Sequence, residues 1–466
     1  MVPEGTRLGQ PNRIVMNYFR KLWETWKQDK VLGVVVRNTG YLFSGNALSM
    51  GLTAIQGFLA AALLGPLNFG ILGIITVFAS SVNRLLSFRM GDVVIKYAGQ
   101  YLALGQKDKA AAVIKAAGIT EGLTSITAYL VLALLAPLAA KYFVHDSTTV
   151  PWILFYGLSL LGALIAETST AVLQVGNHFR SQAFLVFLQS AATAGWIVVA
   201  FFTKGDVFEV LSAYLAGKLI YNIGLTVMAV MWTTPLLGKG WWKMPFSLID
   251  NKRQVVKYAI STNLSSTINT IIRDSEVMWV GFLTTPLQAG YYKFALAVMN
   301  DAYLPINSFV STTFPQIAQS VARHEWKPLK RLLTRTSAIS AVWNVACGLG
   351  LAVVGTWALG WYKGGAYLPA LPAMLVLVIG MGIPNIFFWN RPLLLAFDKA
   401  NYPLVVNTVV GAAKTVLMFA LVPMYGFMTQ TLLLSGYFLI SVGMLTWRGL
   451  QEMRHAEAKF PEGSEA

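Results

Sequence analysis

The residues of this chain that are most able to bind a ligand or exchange a proton are charged residues inside long apolar segments. The basic ones are Arg84, Lys218, Arg273, Lys293, Arg391 and Lys414. The acidic ones are Glu121, Glu167, Asp274, Glu276 and Asp301. An ionised group is costly in lipid, so it faces a water-filled cavity or pairs with an opposite charge. These residues therefore predict a path for a charged ligand, salt bridges between helices, or both.

The basic residues predict a site for an anion. Lys218 and Lys414 lie near the middle of their segments, where a long side chain reaches the membrane surface least easily. Lys293 lies nearer an outer edge. For these three, lining a cavity and forming an internal salt bridge are both open. Arg84 and Arg391 are also close enough to a cytoplasmic end to extend towards water.

The acidic residues predict sites for a coupling ion. In the run Arg273-Asp274-Ser275-Glu276, the first and last residues share one helix face. They form a salt bridge, or Arg273 binds an anion while a carboxylate titrates. Asp301 follows Lys293 by eight residues and either pairs with it or carries a proton alone. The candidate ion-coupling residues are Asp301, Glu276, Asp274 and Glu167.

Other kinds of chemistry find no support in the sequence. The four histidines lie in or next to predicted loops and far apart, and no glycine-rich phosphate loop of the ATPase type is present. The single cysteine, Cys347, excludes an intrachain disulfide and a thiolate metal cluster. We therefore expect no enzyme activity, no cofactor and no metal. Without an ATPase motif, any transport by this chain would run downhill or be coupled to an ion gradient.

Composition indicates the elements that position these residues. The chain is 56% hydrophobic and only 12% charged, with a mean hydropathy of +0.58. Soluble proteins carry about a quarter charged residues, so we predict an all-α polytopic membrane protein. About twelve spans are expected, near residues 38–61, 69–90, 111–136, 151–174, 181–203, 208–232, 258–283, 288–312, 332–357, 369–396, 402–422 and 426–447.

The spans form a tandem repeat. Residues Val36–Gly70 align without a gap with Val256–Gly290, at a constant offset of 220 residues, and each copy reaches a Pro-x-x-x-Gly turn. Six spans per copy give both copies the same topology, which predicts two six-helix lobes in a V shape around a central cavity. The predicted divisions are a cytoplasmic amphipathic segment (1–36), an N-lobe (37–233), a cytoplasmic linker (234–256), a C-lobe (257–449) and a cytoplasmic tail (450–466).

Lysine and arginine set the predicted orientation. They concentrate in the N-terminal segment, in the loops after spans two and eight, and in the linker, whereas the other side shows only Lys141, Lys204 and Lys363. Basic loops stay in the cytoplasm, so both termini are expected there, in a bacterial inner membrane. The net charge of +16 mostly reflects this bias, and no nucleic acid partner is expected.

Short motifs resemble those of a known family. The segments Leu63–Gly70, Glu276–Gly281 and Phe314–Ala318 are similar to segments of Wzx-type polysaccharide flippases, which belong to the multidrug/oligosaccharidyl-lipid/polysaccharide (MOP) exporter superfamily. That family usually has Asp where Glu276 stands. The resemblance implies alternating access and export of undecaprenyl-diphosphate-linked oligosaccharide to the periplasmic leaflet, for O-antigen or exopolysaccharide synthesis.

The resemblance also implies roles for the charged and polar residues. Buried cations would neutralise the diphosphate, and the candidates are Lys218, Arg273, Lys293, Lys414 and Arg84. Candidates for a sugar path are Asn46, Ser49, Asn263, Ser266, Asn269, Trp279 and Tyr291. The partners expected are the lipid-linked oligosaccharide and the bilayer, with a polysaccharide polymerase and a chain-length regulator as further candidates.

Three alternatives stay open at this point. A drug or cation antiporter of the same superfamily would favour an acidic, apolar cavity, whereas intramembrane cations here roughly match the carboxylates. A lipid II exporter usually has more spans. A membrane scaffold or glycosyltransferase subunit fits the tandem repeat poorly.

Overall fold

The computed structural model describes residues 30–269, 274–303, 306, 313, 316–317, 320–399 and 401–460, with side chains from Leu48 onward except at 261–262, 264–266 and 268–269. Within these ranges the regular structure is helical. Most of the predicted amphipathic N-terminal segment and the predicted site residue Arg273 lie outside the described residues.

Fourteen labelled helices make up most of the described chain. The first repeat contains α1 (Lys30–Leu86), α2 (Lys107–Ala139), α3 (Val150–Gly162), α4 (Ala166–Val175), α5 (Phe179–Thr203) and α6 (Val207–Leu237). The second contains α7 (Lys252–Asn269), α8 (Glu276–Leu283), α9 (Pro286–Ala302), α10 (Trp326–Trp361), α11 (Leu371–Ile386), α12 (Asn390–Ala396), α13 (Asn401–Tyr425) and α14 (Phe427–Lys459). Short helical segments at Gly91–Val93, Val94–Ala98, Gly99–Ala103, Ala140–Val144, Ser147–Thr149, Trp241–Lys243, Phe246–Leu248, Tyr362–Gly365 and Leu368–Ala370 join or extend them.

Nine stretches of the described residues are long and apolar enough to cross a membrane. They are Leu48–Leu86, Lys107–Val144, Ser147–Val175, Phe179–Thr203, Val207–Leu237, Trp326–Gly365, Leu368–Ala396, Asn401–Tyr425 and Phe427–Lys459. The first stretch overlaps the first two of the twelve predicted spans. Predicted spans seven and eight include residues outside the described part. The prediction of an all-α polytopic membrane fold is confirmed, while the domain boundaries stay predictions.

The predicted break between the first two spans takes the form of a kink at Gly65, with no separate loop. Helix α1 continues from Lys30 to Leu86 and is interrupted only at Gly65, whose φ of 73° and ψ of 172° are not helical. Pro66 follows, and proline disrupts the preceding helical turn because it has no amide hydrogen. Glycine accepts the positive φ that the kink requires. Conversely, predicted span 151–174 is divided by a turn after Gly162.

The two copies of the Pro-x-x-x-Gly turn pack directly against each other. A Cβ added to Gly70 would overlap the carbonyl oxygen of Pro286, and a Cβ added to Gly290 would overlap that of Pro66. The contact is therefore reciprocal between α1 and α9. Only glycine permits this backbone approach, so the duplicated motif is also the place where the two repeats join.

The segment between α10 and α11 makes further contacts across the same junction. Tyr362 Oη donates to the carbonyl of Phe58, and Tyr367 Oη donates to the carbonyl of Ala61 at 2.9 Å. The Nζ atom of Lys363 lies 3.0 Å from the carbonyl oxygen of Leu63. These carbonyls precede the kink at Gly65, where the helical hydrogen-bond ladder is interrupted. For Ala61 and Leu63, which lie in the last turn before the kink, donors from the second repeat therefore bond carbonyls that lipid could not satisfy.

The linker is held against the first repeat by Asp250. Its carboxylate accepts hydrogen bonds from Lys109 Nζ at 2.6 Å and from Tyr101 Oη at 3.2 Å. The hydrogen bond from Lys109 lowers the pKa of Asp250, so this carboxylate stays ionised over the physiological range. One end of the linker is thereby fixed to the start of α2.

We predict that Gly70→Ala and Gly290→Ala each lower the apparent melting temperature of the purified protein. Overpacking of this kind costs about 1–3 kcal/mol. Because both glycines belong to one contact, the double variant should lose less than the two single losses added together.

Gly195→Ala is the matched control, because a Cβ at that position meets nothing within 4 Å. Thermal unfolding in detergent measures all four proteins. Equal melting temperatures for Gly70→Ala, Gly290→Ala and the control would contradict the close contact.

Candidate functional site

A polar cavity of about 510 Å³ lies within the first repeat. Its volume is within the range of about 300–1,000 Å³ that small-molecule sites occupy. Helices α1 to α6 all contribute to its wall. The polar lining residues are Ser80, Asn83, Arg84, Ser87, Arg89, Glu121, Ser159, Glu167, Thr170, Gln189, Lys218, Tyr221 and Asn222.

Two of the three cations in this cavity pair with carboxylates. Arg89 Nε lies 2.9 Å from Oε1 of Glu167, and its second nitrogen lies 2.7 Å from the same oxygen. Arg84 pairs with Asp274 of the second repeat. All four side chains are about two-fifths exposed, so water screens these pairs and each contributes only about 0–1 kcal/mol. Either arginine can therefore exchange its partner for an anionic ligand at little cost.

The carboxylate of Glu121 is occupied by a helix terminus. It accepts hydrogen bonds from the backbone amides of Glu167 and Thr168, both at 2.9 Å, and from the Thr168 hydroxyl at 2.6 Å. These amides begin α4, and the positive end of a helix stabilises a negative charge. Glu121 is 1% exposed. Its position indicates a structural role in fixing α4 to α2.

Lys218 is the cation of this cavity that pairs with no carboxylate among the described residues. Its Nζ lies 5.0 Å from the ring centroid of Tyr156, which gives a cation–π contact. The side chain is half-buried on α6. It shares one face with Tyr221 and Asn222, at helical spacings of three and four residues. The cavity thus presents a cation without a carboxylate partner among the described residues, beside neutral hydrogen-bonding groups on the same helix, which suits an anion.

Lys414 forms a buried ion pair instead of lining this cavity. It pairs with Glu276, and both side chains are almost fully buried. Tyr292 donates a hydrogen bond to the other oxygen of the same carboxylate. Gln56 aligns with Glu276 in the first repeat, and its Nε2 donates to the backbone carbonyl of Ser190 at 2.7 Å. Both repeats therefore use this position to fix two helices, with an amide in one copy and an ion pair in the other.

Lys293 and Asp301 are separate from each other and from the polar cavity. Lys293 Nζ lies 4.0 Å from the ring centroid of Phe69 and 3.4 Å from that residue's carbonyl oxygen. This places Lys293 at the junction between the repeats. Asp301 is half-buried, and its side chain forms no ion pair or hydrogen bond with any described residue. The structure shows no salt bridge between the two.

The candidates for a sugar path lie outside the polar cavity where the structure describes them. Ser49 is buried and bonds Ser190, and Asn263 accepts from the amide of Arg89 at 2.8 Å. Trp279 donates to the Ser275 hydroxyl at 3.0 Å, and the Tyr291 ring packs 5.8 Å from that of Phe427. The side chains of Asn46, Ser266 and Asn269 are not described.

Sequence reasoning missed several lining residues, among them Asn83, Arg89, Gln189 and Asn222. Asn222 follows Lys218 by one helical turn on α6, which is a signal that the sequence carries. Asn83 on α1, Gln189 on α5 and Arg89 between α1 and α2 reach the same cavity only through the packing of the helices. No three histidine, cysteine, aspartate or glutamate side chains in the described ranges are grouped to hold a metal ion.

The chain is similar in sequence to known proteins. A family model described as "Polysaccharide biosynthesis protein" matches residues 59–372. The inner membrane protein YghQ of Escherichia coli (strain K12) is 22% identical over 314 residues, covering 63% of this chain and 82% of that protein.

Solved structures share the fold at low sequence identity. A lipid II flippase, MurJ, in an inward closed conformation has a TM-score of 0.63 at 12% identity, covering 91% of this chain and 90% of that one. An inward-facing multidrug resistance transporter of the MATE family, from the MOP superfamily, has a TM-score of 0.61 at 11% identity, covering 89% and 95%. A MOP superfamily transporter from Pyrococcus furiosus, described as having a binding pocket of reverse polarity, has a TM-score of 0.57 at 10% identity, covering 91% and 96%. The chain therefore has the fold of these membrane transporters.

We predict that Lys414→Met and Glu276→Gln each reduce the yield of folded protein sharply. Removing one partner of a buried ion pair leaves an uncompensated charge, at a cost of about 3–5 kcal/mol. The double variant removes both charges and should recover most of the yield. Size-exclusion profiles of the solubilised protein measure the folded fraction.

The exposed pair of Lys330 and Glu457 provides the control, since Glu457→Gln should change the yield little. A Lys414→Met protein that folds as well as the wild type but no longer functions would instead favour a direct role in binding ligand.

Proposed function

The chain belongs to the family of polysaccharide biosynthesis proteins, and we propose that it flips polyprenyl-diphosphate-linked oligosaccharide from the cytoplasmic to the periplasmic leaflet. Such a protein must pass a diphosphate and a hydrophilic glycan through the membrane while the polyprenyl tail remains in lipid. It catalyses no covalent step, so the proposal includes no enzyme activity and no cofactor.

The observation that carries this proposal is Lys218, which lies in a polar cavity of about 510 Å³ and pairs with no carboxylate among the described residues. Its neighbours Arg84 and Arg89 are held by half-exposed carboxylates, which a diphosphate can replace because its several oxygens accept charge-assisted hydrogen bonds. Serine, asparagine and glutamine side chains complete the wall. Lys218, with either arginine released from its carboxylate, would balance the two negative charges of a doubly esterified diphosphate.

The same geometry disfavours one transport alternative, a cation or drug antiporter. A cation or drug antiporter needs a free carboxylate in its cavity, but Glu121 is occupied by the start of α4 and Glu167 by Arg89. A lipid II exporter would present a similar cationic cavity, and only the substrate assay separates it from the proposed function. Resemblance of fold at this level of identity does not choose between them.

The proposed cycle is alternating access of the two repeats around the contact between Gly70 and Gly290. We place both termini in the cytoplasm on the basis of the basic loops. An inner-membrane location agrees with the name of the E. coli relative. A polysaccharide polymerase and a chain-length regulator are the partners that would use the exported units.

We predict that a strain lacking this gene accumulates lipid-linked oligosaccharide on the cytoplasmic leaflet and loses surface polysaccharide. Complementation with Lys218→Gln should restore less than about one tenth of the surface polysaccharide at unchanged protein level, since a charge that binds the diphosphate is lost. Immunoblotting and polysaccharide gels give the two readouts.

Lys243→Gln, an exposed linker residue, is the matched control and should complement fully. Normal surface polysaccharide in a deletion strain that has no paralogue would reject the proposal. A gain of sensitivity to cationic dyes in that strain would favour the antiporter.

We further propose that Asp301 links export to an ion gradient. Among the four acidic candidates, Glu276, Asp274 and Glu167 pair with Lys414, Arg84 and Arg89, whereas Asp301 is left without a described ionic partner. A half-buried carboxylate can be protonated in one facing state and ionised in the other. Its protonation then shifts the equilibrium between the two states by about 1.4 kcal/mol for each unit by which its pKa differs between them.

Asp301→Asn should therefore bind substrate but lose the response of transport to an imposed pH gradient in proteoliposomes. Asp206→Asn keeps the acceptor that caps α6 and serves as the control. An unaltered pH response in the Asp301→Asn protein would exclude this residue as the coupling site.

A further inference from the structure

A second cavity, of about 370 Å³, lies entirely within the second repeat. It corresponds position by position to the polar cavity of the first repeat. Along α1 and α9, and along α6 and α14, the lining residues pair at the offset of 220 residues seen in the duplicated segment: Ser80 with Asn300, Lys218 with Phe438, and Tyr221 with Ser441. The duplication has therefore produced two equivalent cavities in one chain.

The fourth and tenth predicted spans also correspond, but there the offset between the repeats is one residue longer. At an offset of 221, Glu167 pairs with Phe388 and Thr170 with Arg391, and all four line their cavities. The charged groups Lys218 and Glu167 of the first cavity are thus replaced by phenylalanines in the second. The two cavities are formed by corresponding elements but lined by different chemical groups, so they suit different kinds of ligand group.

Neutral amides dominate the polar groups of the second cavity. Asn300 of α9, Asn385 of α11 and Asn407 of α13 approach it from three helices. Asn385 Nδ2 donates to the carbonyl of Met381 at 2.8 Å, which leaves its oxygen available. The side chains of Asn300 and Asn407 form no hydrogen bond with any residue the structure describes. Asn300 is exposed and Asn407 is half-buried. Since an amide offers two donors and an acceptor, both side chains are open to hydrogen bonds from water or a ligand in the cavity.

We propose that this second cavity binds the glycan of the substrate, while the cationic cavity binds its diphosphate. A sugar hydroxyl both donates and accepts, as an amide does. The rings of Phe388 and Phe438 offer negative faces to the positively polarised C–H groups of a sugar ring. Arg391 is exposed at the wall and supplies further donors for hydroxyls or for the carboxylate of an acidic sugar. This assignment rests on the proposed function and adds the part of the substrate that each repeat recognises.

The test compares two ligands on the purified full-length protein in nanodiscs. One is undecaprenyl diphosphate, and the other is undecaprenyl diphosphate carrying a trisaccharide of hexose and N-acetylhexosamine. The wild type should bind the glycosylated ligand at least about tenfold more tightly. Asn407→Leu and Asn300→Leu should bring that ratio close to one while keeping the affinity for undecaprenyl diphosphate, which also shows that each variant is folded.

Asn222→Leu, the same substitution in the cationic cavity, is the matched control and should leave the ratio unchanged. Asn407→Gln keeps the amide and should retain part of the preference. The proposal is overturned if Asn407→Leu and Asn300→Leu leave the ratio as in the wild type. It is also overturned if they weaken both ligands equally, because the cavity would then contact the diphosphate or the polyprenyl chain. Binding of neither ligand by the wild type would reject the proposed function itself, and this inference with it.

Discussion

A charge placed among membrane-spanning helices must be compensated, and this requirement sorts the ionisable residues of the chain. Lys414 and Glu276 are almost fully buried and compensate each other. Glu121 is compensated by the start of α4. Lys218 pairs with no carboxylate in the described part of the chain, and its ammonium lies over the ring of Tyr156. Since the cost of an uncompensated cation is several kcal/mol, Lys218 needs water or an anionic ligand, and the cavity around it supplies space for both.

The duplication explains how one chain holds structural and ligand-binding sites that look alike in sequence. Equivalent positions serve the same packing role in both repeats, as Gln56 and Glu276 do, and Gly70 and Gly290 meet in a reciprocal contact. At the cavities the repeats differ, with charges in the first and amides and phenylalanines in the second. A shared architecture with unlike linings allows a ligand with an anionic part and a neutral part to engage both halves.

Some of this arrangement could be predicted from the sequence, because it depends on local patterns. Apolar segments and the 220-residue repeat were sufficient for the all-helical membrane fold. Pro66 was sufficient to predict a break between the first two spans, but not that the break would be a kink at Gly65 within one continuous helix. The Pro-x-x-x-Gly turn was evident in each copy, but its reciprocal contact depends on how the repeats pack.

Pairing of charges was harder to predict, because it is decided by residues far apart in the chain. Glu276 was weighed as a partner of Arg273, three residues away, whereas in the structure it pairs with Lys414. Lys293 and Asp301 share a helix face in sequence, yet Lys293 contacts Phe69 of the other repeat. Spacing along one helix cannot show which neighbouring helix offers a closer partner. The side chains that remain without a partner, and so the candidate site, were identified only from the packed structure.

The central claim is that the Lys218 cavity carries a lipid-linked diphosphate across the membrane. Proteoliposomes loaded with a fluorescent lipid-linked oligosaccharide, and probed with a membrane-impermeant lectin, report how much glycan reaches the outer leaflet. With wild-type protein, the fraction accessible to lectin should rise with time beyond the starting value, and with Lys218→Gln it should stay at the level of protein-free liposomes. Wild-type vesicles that behave like protein-free liposomes, or Lys218→Gln vesicles that match the wild type, would contradict the account.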